Sequence, residues 1–458
     1  MITSEPGQPL NLTQMRQDIQ AIETVYKKNG FTYTRVYKID YPKGEAGPLI
    51  FEIGEGIVQS VRITGNERTK DFVLLREMQL KPGSVFNEQF LRQDLRRIFN
   101  LNLFESLDPD IQPAITPNTY DITLAVTEQP PSAFNLGGGY SGQSGLFFFS
   151  DLQTRNFLGR GQQVSLKTQV GDEIVNYELR FREPWMWAPR RSLTYGIWHR
   201  TGRLDVFSAN TTRTFNNDQT STGTDITFGI PVSYNLLFNH TLKYEVVQLA
   251  NDPENDYVIQ SYAAQVVHDT RDVWFAPRTG HYVSFRAEKA FSTRETALAF
   301  ERYDLTLKRF FPTTKNQTIA TKLDISYLEG ADQNRATTLF GYIVGSQDTV
   351  RGYNDFFAFG ARRAIANIEY RWFVKPTVQL SLFLDAGNAP QAVDDSGQQR
   401  TRTGALGADT QSIYDIFKWR VGKGIGITVQ SPLGPLKFDF ANNDQNIWLI
   451  QFNFGNAF

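Results

Sequence analysis

The chain has 458 residues, with 47 Lys and Arg against 48 Asp and Glu, a formal net charge of −1 that points to no nucleic-acid partner. It contains no cysteine, which excludes a disulfide framework and a thiolate metal site. A mean hydropathy of −0.37 and the lack of a long apolar run exclude a transmembrane helix, but not membrane strands, which alternate and span with about 9–11 residues.

Aromatic residues make up 13% of the chain, with 35 Phe and 19 Tyr, a composition that favours a membrane barrel with aromatic girdles. Met1–Leu10 has neither a basic start nor an apolar core, so no signal peptide opens the sequence. It reads as a processed or truncated chain.

In chain order, Asn11 with Gln14 three residues on forms a capping-box pattern. Leu12, Met15, Ile19, Ile22 and Tyr26 then recur at helical spacing up to Gly30. Strand-like runs follow at about Thr32–Tyr41 and Leu49–Ile53. Ile57–Thr64 reads as a strand and Gly65-Asn66 as a turn. Thr69 is placed to cap a short helix to about Gln79, broken by Lys81-Pro82-Gly83. Asn87 caps a second helix whose apolar stripe is Phe90, Leu91, Leu95, Ile98 and Phe99. Phe104–Ile111 and Tyr120–Glu128 complete a β-α-α-β-β unit, a small α+β fold with no legible chemistry of its own. A sheet edge there could accept an extended chain by strand addition.

Gln129-Pro130-Pro131 is a short stiff linker, and beyond it the period changes to two. Val164, Leu166, Thr168 and Val170 oppose Ser165, Lys167 and Gln169. Tyr177, Leu179 and Phe181 oppose Glu178, Arg180 and Arg182. Val283, Phe285 and Ala287 oppose Ser284, Arg286 and Glu288. Side chains of a strand alternate faces, so this pattern fits a wet lumen and a lipid face, where a mid-membrane charge costs about 2–4 kcal/mol. Short turns lie near Leu158–Gly161, Glu183–Arg190, Ala276–Gly280, Phe311–Lys315, Val374–Pro376 and Ser431–Pro435. Longer polar loops lie between them, near Thr201–Ser221, Glu329–Arg362 and Ala386–Lys418. That two-sided asymmetry is characteristic of outer-membrane barrels, and the linker enters on the short-turn side. The count is about sixteen strands, eleven before the Glu329–Arg362 loop and five after it.

Within that loop stands Val350-Arg351-Gly352-Tyr353. By itself an Arg-Gly pair is a turn, and its bland reading is a solvated arginine. In the next two runs, Ile368, Tyr370 and Trp372 share one parity and Asn367, Glu369 and Arg371 the other. Leu380, Leu382 and Leu384 oppose Gln379, Ser381, Phe383 and Asp385. Glu369 and Asp385 therefore point into the lumen, where a loop folded back could bring Arg351 to either acid or to both. Gly352 permits a tight turn, and Tyr353 is expected to pack on the wall.

The order of Val350-Arg351-Gly352-Tyr353, Ile368-Glu369-Tyr370 and Asp385-Ala386-Gly387, together with Ser431–Leu436 and a terminal Phe458, resembles the BamA/TamA-type outer-membrane protein assembly superfamily. The loop and turn wording is similar to its cyanobacterial and chloroplast branch. The resemblance implies a mainly β fold: a sixteen-stranded antiparallel transmembrane β-barrel preceded by small α+β POTRA domains. It divides the chain into a partial POTRA domain at 1–54, a complete one at 55–129 and the barrel at 130–458. It implies a loop lock in the lumen formed by Arg351, Gly352, Tyr353, Glu369 and Asp385, and a C-terminal assembly signal at Phe458. It also implies an outer-membrane location (Gram-negative, cyanobacterial or plastid), with POTRA domains on the periplasmic or equivalent side. The implied partners are unfolded β-barrel clients, outer-membrane lipid, and periplasmic chaperones or accessory subunits; no nucleic acid is expected.

Closure of such a barrel pairs its first strand, about Phe134–Tyr140, with its last, about Ile447–Phe454. Gly137, Gly138 and Gly139 weaken the first, and Trp448, Ile450 and Phe452 share the lipid parity of the last. The bland reading is a bend. The functional one is a lateral seam that opens so that a client strand pairs with the exposed edge.

Enzymatic readings are poor. His199, His240, His268 and His281 form no HExxH pair, and Gly137–Gly139 lacks the P-loop lysine. No cofactor, metal or nucleotide site is expected, and His268-Asp269-Thr270-Arg271-Asp272 reads as lining the lumen or the mouth. The expected function is insertion and folding of outer-membrane β-barrel proteins. The alternatives are a polypeptide-translocating pore of the two-partner secretion or chloroplast import type, and a passive pore.

Overall fold

The computed structural model describes residues 11–41, 47–141, 145–171, 174–187, 190–206, 214–233, 235–250, 253–273, 276–331, 341–345, 348–353, 358–375, 377–388, 419–431 and 434–454. The chain divides into two compact units, residues 1–133 with 153–164, and residues 134–152 with 165–458.

The first unit opens with helix α1 (Leu12–Lys28), whose N-terminal amides of Thr13 and Gln14 donate to the Asn11 side chain. Gly30 follows in the left-handed region at φ +91°, which turns the chain out of the helix. β1 (Arg35–Asp40) and β2 (Ile50–Gly54) pair antiparallel.

A three-stranded sheet follows. β3 (Ile57–Thr64) lies parallel to β5 (Thr119–Glu128), which pairs antiparallel with β4 (Phe104–Pro113). Helices α2 (Asp71–Leu75) and α3 (Glu88–Phe99) lie between β3 and β4 in sequence. Val73, Leu74, Ile98, Phe104 and Leu124 form one apolar core cluster, and Val58, Leu80, Phe86, Leu91 and Ile122 a second. The two modules are joined by packing: the Tyr33 ring stacks on Tyr120 at 4.2 Å and meets Phe86 edge-on at 4.8 Å.

Two expectations about this unit are corrected. Thr69 does not cap α2, which is shorter than expected. The N-cap position is Lys70, without a side-chain cap bond, while the Thr69 hydroxyl accepts from Asn156 and its amide donates to Glu128. The α3 stripe also does not pack as a whole. Leu91 and Ile98 are buried, but Phe90 and Phe99 are exposed. A buried Asp94 joins the inner face instead, because its carboxylate accepts from the Gln79 and Leu80 amides (2.9 and 3.0 Å) and from Arg97 (3.2 Å). It thereby satisfies backbone donors in the loop that helical periodicity could not assign.

The second structural theme is a sixteen-stranded antiparallel sheet. Its strands before the long loop are β6 (Ser132–Ser141), β7 (Gly145–Phe157), β8 (Gln162–Gly171), β9 (Ile174–Glu183), β10 (Ser192–Val206), β11 (Thr214–Pro231), β12 (Leu236–Leu249), β13 (Tyr257–Asp269), β14 (Gly280–Ala290), β15 (Glu301–Thr314) and β16 (Gln317–Glu329). A short antiparallel pair, β17 (Tyr342–Val344) and β18 (Ala358–Gly360), sits inside the loop. After it come β19 (Arg362–Lys375), β20 (Val378–Asn388), β21 (Arg420–Ser431), β22 (Gly434–Asn443) and β23 (Trp448–Phe454). Each strand neighbours the next in sequence apart from the loop pair, with β16 joined to β19 and with β6 and β23 at the two ends. Among the described residues no β6–β23 pairing is recorded.

Polarity in this sheet is inverted relative to a water-soluble fold. On β19, Ile368, Tyr370 and Trp372 are exposed while Asn367, Glu369 and Arg371 are buried. On β20, Leu382 and Leu384 are exposed while Ser381 and Asp385 are buried. Phe285 on β14 is exposed between buried Ser284 and a half-buried Arg286, with Glu288 buried further along. Such an outer face is stable only in lipid, and charges on the other parity are tolerated because they pair inside. No described helix is long and apolar enough to cross a membrane.

Replacing Asp94 with Ala should leave two loop amides without their acceptor, a loss of about 1–3 kcal/mol. Hydrogen exchange at Gln79 and Leu80 in the full chain should then speed up about tenfold or more, while the sheet amides are unchanged.

Candidate functional site: a buried ion cluster at the loop tip

The tip of the β16–β19 loop, residues 349–353, lies on the polar face of the last five strands. Val350 and Tyr353 bury their side chains with Val344 of β17 and Ile365 of β19. This apolar anchoring places Arg351, 2% exposed, between carboxylates of three strands. Its Nε and Nη2 donate to the two Asp385 oxygens at 2.6 and 2.8 Å, a bidentate fork on β20. Its backbone amide donates to the same carboxylate at 3.1 Å. Nη1 donates to Glu369 of β19 at 3.2 Å and lies 3.6 Å from Asp439 of β22. The guanidinium also stands 3.5 Å over the Phe383 ring centroid.

Two further cations complete the cluster. Arg371 donates to Glu369 Oε2 at 2.8 Å, and Lys437 lies 3.3 Å from Glu369 and 3.6 Å from Asp439. Three cations face three anions, so the cluster is neutral as a whole. That balance makes its burial bearable, since an unpaired ion would face a desolvation penalty of several kcal/mol. Asn367 donates to both the Thr349 carbonyl and Asp385, at 2.8 Å each, which fixes the loop and the acid together.

Backbone space is made by glycines. Gly352 adopts φ +88°, a conformation costly for any residue with a Cβ. Gly422 of β21 faces the loop so closely that a Cβ would stand 1.8 Å from the Arg351 carbonyl oxygen. Gly424 and Gly426 share its parity, and a Cβ at 424 would meet the Phe383 ring at 2.7 Å.

The loop also reaches the last strand. The Gly352 amide donates to Gln451 Oε1 and Gln451 Nε2 donates to the Tyr353 carbonyl, both at 3.0 Å. Asn443 of β22 donates to the Gly352 carbonyl at 2.9 Å. The Tyr353 hydroxyl donates to the Val421 carbonyl at 3.2 Å and accepts from the Asp444 amide at 3.3 Å. Burial pushes this phenol up to about 12, so it remains a donor at neutral pH.

The structure thus brings Arg351, Gly352, Tyr353, Glu369 and Asp385 together, with Asp385 the bidentate partner and Glu369 the shared one. Sequence reasoning missed Asp439, Lys437, Phe383 as a platform, Gln451 and the glycine face of β21. The alternation Lys437-Phe438-Asp439-Phe440 and the spacing Gly422-Lys423-Gly424-Ile425-Gly426 were the available signals. The expected seam residues lie on the two end strands. Gly137, Gly138 and Gly139 lie in β6, and a Cβ at Gly137 would meet the Phe149 ring at 2.6 Å. Trp448 and Ile450 are exposed on β23, and Phe452 stands opposite Phe438 in register. Phe458 lies outside the described residues. The His268–Arg271 segment does not line a single surface: Asp269 pairs with Arg271, while His268 turns to the outer face.

The Omp85 superfamily domain matches residues 156–458. The chain belongs to the Omp85 superfamily. A second family, POTRA, described as the surface antigen variable number repeat, matches residues 57–129 of this Omp85 chain. Over its whole length the chain is 24% identical to the outer membrane protein assembly factor BamA of Neisseria meningitidis serogroup B, covering 64% of that protein. It superposes on BamA of Haemophilus ducreyi lacking POTRA domains 1-3 with a TM-score of 0.59 at 18% identity, over 99% of this chain and 95% of that one. It superposes on CdiB of Escherichia coli with a TM-score of 0.66 at 15% identity, over 96% and 81%. These two superpositions carry the fold, a POTRA-preceded barrel. The chain spans less than two thirds of the length of the first curated relatives it matches.

Arg351→Ala should strip Asp385 of its fork and lower stability by about 3–5 kcal/mol. It should be read as a lower temperature for loss of the compact band in unheated gels. Gly422→Ala, which touches no charge, should expel the loop to a similar extent. Because both act on one contact, the double variant should fall short of the summed effects by more than about 1 kcal/mol.

Proposed function

We propose that this chain carries the membrane domain and adjoining POTRA modules of an outer-membrane assembly factor, which inserts and folds β-barrel proteins through a lateral seam between β6 and β23. POTRA domains on the periplasmic side would receive unfolded clients, with chaperones or accessory subunits able to deliver them. No bond is made or broken. The free energy comes from the client's own folding as its strands leave water. Membership of the Omp85 superfamily and similarity to proteins named as assembly factors support this reading.

The observation that carries it is the double attachment of residues 351–353. One side of the loop tip holds the ion cluster on β19, β20 and β22, and the other is hydrogen-bonded to Gln451 on the end strand β23. A shift of β23 therefore disturbs the loop, and release of the loop frees β23. An end strand with unpaired backbone groups in lipid is costly, and a client strand that pairs with it removes that cost. Arg351, Gly352, Tyr353, Glu369 and Asp385 act in this scheme as a lock on the seam.

Folding of a urea-unfolded outer-membrane barrel should be accelerated in proteoliposomes containing the protein, and the acceleration should be lost with Arg351→Ala. No acceleration by the wild type would move the reading to a polypeptide-translocating or passive pore, to be separated by exoprotein uptake into the same vesicles. The cysteine-free sequence permits a second test. An oxidised pair of cysteines, one within Phe134–Tyr140 and one within Trp448–Phe454, should halt client insertion until reduced. Undiminished insertion through the bridged protein would remove the seam from the mechanism.

A further inference from the structure

The outward face of the sheet carries a cation on the side of its short connections. Arg309 of β15 is exposed there beside exposed Phe311, with buried Phe310 between them pointing inward. Its register partner on β14 is His281, which shares the parity of exposed Phe285. His268 of β13 stands opposite Val283 and faces the same way.

These side chains form an ordered chain of donors. Arg309 Nη1 lies 3.1 Å from His281 Nδ1, and a guanidinium only donates, so that nitrogen is an acceptor and the His281 proton sits on Nε2. Nε2 lies 2.8 Å from His268 Nδ1 and donates to it, which leaves the His268 proton on its own Nε2, at the end of the chain. Thr270 supports His281: its hydroxyl oxygen accepts from the His281 amide at 3.0 Å and lies 3.0 Å from Nδ1. Among the described residues, two sets of polar hydrogens in this cluster meet no protein acceptor: the other guanidinium N–H groups of Arg309 and Nε2–H of His268. Arg309 has no carboxylate partner among the described residues. Its Cζ lies 5.4 Å from the Phe311 ring centroid, within cation–π range.

Arg309 stands five residues before the end of β15, within roughly 13 Å of the turn along the barrel axis. From there an arginine stem can snorkel to the headgroup level, where water and phosphate are the available acceptors. A phosphate matches the guanidinium fork bidentately.

We propose that Arg309 and His268, arranged through His281 and Thr270, form a binding site for the phosphate of an anionic phospholipid in the leaflet on the short-connection side. The site holds one lipid against β13–β15, on the wall away from the strand ends β6 and β23 in the strand order. The inference depends on the membrane-spanning fold and not on the assembly activity, so it is tested without a client.

Protein extracted from vesicles of phosphatidylcholine mixed with phosphatidylglycerol is examined by native mass spectrometry. The wild type should retain one phosphatidylglycerol, and Arg309→Gln should lower its occupancy about tenfold or more. Arg309→Lys, which keeps the charge but not the fork, should retain an intermediate amount, and His268→Phe should weaken retention several-fold. Lys423→Gln, which removes an exposed cation on the outward parity of β21, should have no effect. Excess inorganic phosphate should not displace the lipid. Unchanged retention in both Arg309→Gln and His268→Phe, equal loss in Lys423→Gln, or displacement by inorganic phosphate would each overturn the proposal. A compact band in unheated gels establishes that each variant is folded.

Discussion

Arg351 cannot shed its charge, so burying it obliges the fold to supply carboxylates from fixed directions. Here Asp385, Glu369 and Asp439 do so from three strands, and Arg371 and Lys437 restore neutrality among them. β19, β20 and β22 meet at the guanidinium, β21 approaches through its glycines, and β23 is joined by Gln451. The long loop is therefore part of the wall's packing. Its apolar residues Val350 and Tyr353 are buried as firmly as any core side chain.

The cluster is possible because the sheet is inverted. A lipid-facing band on one parity leaves the other free to be polar, and burial of the cluster on that face strengthens each ion pair it holds. Cations do stand on the outer parity, as at Arg309 in the half of β15 nearer its short connection and at Lys423 near the start of β21. Depth along the strand thus matters as much as parity in deciding which charges a barrel tolerates.

The first unit uses buried polar groups differently. Asp94 satisfies the backbone amides of a neighbouring loop, while Asn87 caps the first amides of its own helix and donates to the Asn29 carbonyl of the preceding module. Their role is to fix a loop, a helix start and the joint between modules.

Much of this was legible in the sequence. Period-two alternation located the strands on either side of the long loop, since one face must meet lipid and one must not. Asn11 and Asn87 announced helix starts through capping chemistry. The parity of Glu369 and Asp385 placed both acids on the polar face, within reach of Arg351. Tertiary structure decided the rest, because it depends on residues distant in sequence meeting across strands. The bidentate choice of Asp385 over Glu369 follows from where Val350 and Tyr353 seat the loop. Asp439 and Lys437 joined the cluster only because β22 lies two strands from β20. Thr69 lost its capping role to Asn156 and Glu128, and Phe90 and Phe99 were left exposed because α3 turns Asp94 inward. Local pattern determines which face a side chain takes; which partner it finds there is determined by register and packing.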